Sequence, residues 1–87
     1  MSPDQLFPQT DYFRHTRHRV DRAFIKNEWI EFVIDHPDSE EIQSDGRIRR
    51  WARISSFENR ALRVILLPDG RTVHNAFFDR HYEEQQR

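Results

Sequence analysis

The chain has no cysteine, so neither a disulfide nor a thiolate-bound metal holds it together. Glycine occurs only twice, at Gly46 and Gly70, each directly after an aspartate. Backbone that favours a positive φ is therefore expected at two places, and both read as tight turns. Lysine is nearly absent: Lys26 stands alone among fourteen basic residues, and the other thirteen are arginine. The planar arginine fork suits bidentate contacts to phosphate or carboxylate and stacking on rings, which a lysine point charge does not reproduce. Long apolar runs are missing as well. Nothing approaches the ~20 residues of a membrane span, and MSPDQLFPQT has neither the basic start nor the apolar stretch of a secretory signal. The expectation is a soluble, cytoplasmic protein with no membrane partner. A net charge of −1 argues against a domain devoted to nucleic acid, because such domains are usually basic.

What is present amounts to one small domain, near the size at which a single core just suffices. Residues 1–10, with Pro3 and Pro8, read as a flexible N-terminal arm whose Leu6 and Phe7 tuck onto the body. Residues 11–82 form the domain and 83–87 a frayed tail. Helical spacing over 11–24 puts Phe13, Val20 and Phe24 on one side and His15, His18, Arg19 and Arg22 on the other. A second helix starts at a capping Asn27 and runs through EWIEFVIDH until Pro37 stops it. Its buried stripe reads as Ile25, Trp29, Phe32 and Val33; a strand is the competing reading of these β-branched and aromatic residues. Then EEIQ, Asp45-Gly46 and RIRRWARI make one hairpin, and ALRVILL, Pro68-Asp69-Gly70 and RTVHNAFF a second. The expected fold is α+β: two N-terminal helices packed on one face of a four-stranded antiparallel meander sheet. A two-residue loop at Asp69-Gly70 sets Leu66 opposite Val73 and Val64 opposite Asn75, whereas a three-residue loop at Pro68-Asp69-Gly70 sets Val64 opposite His74.

Charge is distributed in blocks. Basic residues cluster in 14–22 and 47–63, acids in 35–45 and at the tail. Alternation along the strand in DGRIRRWARI places Arg47, Arg49, Trp51 and Arg53 on one face and Ile48, Arg50, Ala52 and Ile54 on the other. The second set faces a core, with Arg50 paired to a helix carboxylate such as Asp21 or Glu28. The first is a positive strip around a stacking surface.

Residues 15–37, HTRHRVDRAFIKNEWIEFVIDHP, resemble a bacterial family of unknown function distantly related to RelE-type toxins. The matching positions are His15, Arg22, Ile25, Trp29, Val33 and Pro37, with one residue more between Arg22 and Ile25 than the family pattern has. Gly46-Arg47, LRVI of the third strand and the short last strand extend the resemblance over roughly residues 11–80. It implies a RelE-like fold, a metal-independent endoribonuclease activity and an antitoxin-like partner.

The residues offer the parts for such chemistry. Metal-free RNA cleavage needs a base for the 2′-hydroxyl, cations for the phosphorane charge and an acid for the leaving oxygen. The candidate catalytic set is His15, Arg22, Arg49 and His74, because histidine titrates near neutrality and arginine grips two phosphate oxygens. The candidate RNA-binding set is Arg47, Trp51, Arg53 and Arg63, with Trp51 stacking an unpaired base. Arg63 has Glu58 or Asp79 as an internal partner. A metal set of His15 and His18 with Asp79 and His81 matches no known spacing, so no metal or other cofactor is expected. The competing reading is a non-catalytic interaction module, monomeric or homodimeric, whose Arg/Trp face docks an acidic protein segment or a second copy.

Overall fold

The computed structural model describes residues 7–85. Helix α1 spans Asp11–Thr16 and α2 spans Asn27–Asp35; strands β1 (Ser39–Ile42), β2 (Ile48–Ile54), β3 (Arg60–Leu66) and β4 (Val73–Phe78) follow, and α3 (Arg80–Gln85) closes the order. The strands form one antiparallel sheet in the order β1-β2-β3-β4. The α+β class and the meander are as expected. The helices differ.

The first helix covers six residues rather than the whole of 11–24. Thr10 caps its start by accepting from the Phe13 N–H, and beyond Arg17 the chain proceeds by successive turns. A continued helix would hold Arg14 beside Arg17 and Arg19 beside Arg22, pairs three apart at the spacing where like charges repel. The apolar stripe that suggested the longer helix also fails, since Val20 is 98% exposed. In α2 the cap position is Lys26 without a side-chain bond, and Asn27 instead accepts from Arg17. Its buried residues are Ile30 and Val33, while Phe32 turns outward. Five apolar residues in NEWIEFVID leave the stripe's direction to tertiary packing.

The core lies on the face covered by α2. Ala52, Ile54, Leu62, Val64, Leu66, Val73 and Ala76 from the sheet pack with Ile30 and Val33, and Phe13 of α1 joins them beside β4. Contacts of α2 fall on β2 and β3, so Ile42 on β1 stays exposed although its row continues the core through Ile48 and Leu66. The arm is partly fixed: Phe7 is buried, and Gln9 bridges Val73 in parallel. Leu6 lies outside the described residues.

Both hairpins use their glycine as expected. Gly46 (φ 90°) and Gly70 (φ 71°) each donate back to the carbonyl three residues earlier, Gln43 and Leu67. A Cβ at Gly46 would also stand 3.3 Å from Pro68 Cγ, so the two turns abut. Gly46→Ala is expected to lower stability by about 1–2 kcal/mol through the left-handed backbone, measured by urea denaturation; an unchanged midpoint would show that the turn relaxes freely.

The register beyond the second turn begins as the two-residue loop sets it and then departs from both alternatives. Leu66 stands opposite Val73, but Ile65 already faces Asn75 and Val64 faces Ala76, so His74 is the extra residue of a β-bulge. Bulges re-aim side chains at sheet edges, and β4 is an edge strand.

Candidate functional site

The face opposite α2 carries a row in direct register: Ser39, Trp51, Arg63 and Phe77, one residue from each strand. The Arg63 guanidinium lies 5.6 Å from the Trp51 ring and 5.0 Å from that of Phe77. Over this row sits α3. Tyr82 stacks on Trp51 at 5.1 Å with 10° between the rings, and its hydroxyl bonds Ser39. Asp79 accepts from Trp51 Nε1 (3.0 Å), from the Tyr82 N–H (3.1 Å) and from Arg63 (3.4 Å). Burial pushes the Asp79 carboxyl up, but these hydrogen bonds and the Arg63 charge outweigh it and hold it below the ordinary value.

Trp51 is therefore 7% exposed. The stacking surface expected for RNA is covered by α3 of the chain itself. The signal for it was present: Asp79 stands directly before α3 and bonds the N–H three residues on, the geometry of a helix cap.

The strip is paired from within. Arg49 meets Glu41 at 2.9 Å, Arg47 lies 3.7 Å from Asp45, and Arg53 donates to the Asn59 carbonyl at 3.0 Å. On the core face Arg50 bonds Glu40 (2.7 Å) and the Ile34 carbonyl (2.9 Å), not Asp21 or Glu28. Register explains the substitution, because Glu40 is the cross-strand neighbour of Arg50 and Glu41 that of Arg49. Arg63 takes Asp79 and leaves Glu58 to Arg60.

The other candidates collect at the β4 edge. Arg22 crosses that edge to donate to Asn75 (2.6 Å) and lies 5.2 Å from the Phe77 ring. His74, next to Asn75, bonds Thr10 Oγ1 through Nδ1 (3.2 Å) and stacks under Tyr12 at 4.9 Å. Burial and the Arg47 charge hold its imidazole below the ordinary value against a smaller pull from Asp45. His15 lies one turn after Tyr12 on α1, with Nδ1 2.8 Å from the Asp11 carbonyl oxygen. Arg49 does not join them: in the row Glu41, Arg49, Ile65, Asn75 it stands two strands, or ~10 Å, from β4. Tyr12 and Asn75 are the residues of this edge that the sequence did not single out.

A concavity of about 320 Å³ lies between α3 and β1, bordered by Glu40, Glu41, Arg49, Arg63, Asp79 and Tyr82. Its three carboxylates outnumber its two guanidiniums, so it offers no net positive charge to an anion. Among the described residues no group of three His, Asp or Glu side chains is placed to hold a metal ion, and no helix is long and apolar enough to cross a membrane. Comparison with protein-family models, with curated proteins and with solved structures gives no match for this chain.

Proposed function

We propose that this domain binds single-stranded RNA along its β4 edge. The observation that carries the reading is a separation of charge hidden by the net value. Residues 11–24, laid against β4, hold four Arg and two His with two Asp; residues 27–46, which include α2 and the opposite edge strand β1, hold seven Asp or Glu and no Arg or Lys. A polyanion meets attraction on one side and repulsion on the other. The resemblance of residues 15–37 to the RelE-related family supports the same ligand. Arg22, His15 and His74 border this edge, so metal-independent cleavage would draw its phosphate clamp and proton carriers from them.

Labelled single-stranded RNA at about 50 and about 200 mM salt tests the reading. Four phosphate contacts predict a loss of about 50-fold over that fourfold change in salt. Arg14→Gln with Arg19→Gln is expected to flatten the salt slope by about half, because these side chains stay 58% and 64% exposed beside Asp11 and Asp21, whereas Arg49→Gln, 30% exposed and two strands from β4, leaves it unchanged. Absence of binding at the lower salt sinks the proposal, and products on the same gel identify a nuclease. An acidic protein partner of antitoxin type is the second reading, favoured by Val20, 98% exposed among these cations; it predicts capture of an acidic peptide in place of RNA.

A further inference from the structure

We infer that Tyr12, backed by His74, is the surface on which an unpaired base of that RNA stacks. The inference rests on the RNA reading above and assigns it a contact that Trp51 no longer supplies.

Most aromatic rings of the fold are already engaged. Phe7 and Phe13 are buried in the core. Phe24, Trp29, Phe57 and Phe78 form one cluster with centroid separations of 4.7–6.0 Å. Trp51 lies beneath Tyr82, and Phe77 between Arg22 and Arg63. Phe24 is 47% exposed but packs its ring on Phe57 and Phe78, which leaves two outward rings, each supported by a histidine: Tyr12, 52% exposed over His74, and Phe32, 45% exposed near His36.

Charge separates these two. Phe32 shares α2 with Glu28, Glu31 and Asp35, which repel a phosphate chain. Tyr12 shares its helix with Asp11, which Arg14 offsets at 3.0 Å, and the His74 beneath it lies within range of the Arg47 charge and beside Asn75, the Arg22 partner. The Thr10 bond and the bulge hold His74 in place, so Tyr12 is supported on one face before any ligand arrives. Pre-ordering of this kind reduces the entropy lost on binding. Among the described residues the Tyr12 hydroxyl has no protein partner, which leaves it for a polar group of the RNA.

The test is anisotropy of a labelled oligouridylate with wild type, Tyr12→Ala, Tyr12→Phe and Phe32→Ala at low salt, each checked for native circular dichroism. Tyr12→Ala is expected to bind about tenfold more weakly, with the salt slope unchanged because a ring and not a charge is lost. Tyr12→Phe restores most of the affinity, and Phe32→Ala matches wild type. Wild-type affinity in Tyr12→Ala overturns the stacking assignment and leaves the RNA reading intact. A wild type that does not bind overturns both.

Discussion

Asp79→Ala is expected to destabilise the domain by about 2–3 kcal/mol, although the residue lies beyond the last strand. Its carboxylate is 11% exposed and satisfies three donors at once: the Trp51 indole, the Tyr82 amide and the Arg63 guanidinium. Removing it strands a half-buried cation and a buried indole N–H, and unmet groups of this kind dominate the cost of broken polar clusters. Asp79→Asn keeps the acceptor and loses only the charge, so about half the effect is expected. Because the folded pKa is depressed, the stabilisation is present above the unfolded carboxylate value of 3.8 and is lost as the pH falls through the folded one. Urea midpoints at neutral and acid pH check both statements. Equal midpoints for wild type and Asp79→Ala at neutral pH would mean that α3 contributes nothing to the fold.

Phe13→Ala is expected to cost more, about 3–5 kcal/mol, a large share of the ~5–15 kcal/mol that a small domain has in total. Phe13 is the single buried residue of α1, and a six-residue helix has little stability of its own. Its ring is 2% exposed and carries the Arg17 guanidinium at 4.9 Å. Loss of this anchor frees α1 and with it the Tyr12 ring from His74, so stability and RNA affinity should fall together. A fall of less than ~1 kcal/mol would show that the backbone bonds of residues 8–10 to Val73 hold the segment unaided.

The α+β class, the four strands and both turns were legible because each is a local code. Asp45-Gly46 and Pro68-Asp69-Gly70 set their turns through φ, and alternation in RIRRWARI sorted Ile48, Ala52 and Ile54 from Arg49 and Arg53. The helices were less legible. Arg14 to Arg22 carries a helical apolar rhythm and a like-charge conflict together, and only packing decided that the conflict prevailed.

The amino-acid sequence by itself determined which residues alternate, where the chain turns and how its charges are blocked, since these depend on neighbours within a few positions. Tertiary structure decided what each arginine meets. Glu41 reaches Arg49 through strand register, Asp79 reaches Arg63 through the return of α3, and the bulge at His74 brings that ring beneath Tyr12. Each of these depends on spatial neighbours distant along the chain, and a one-residue change of register would exchange them all.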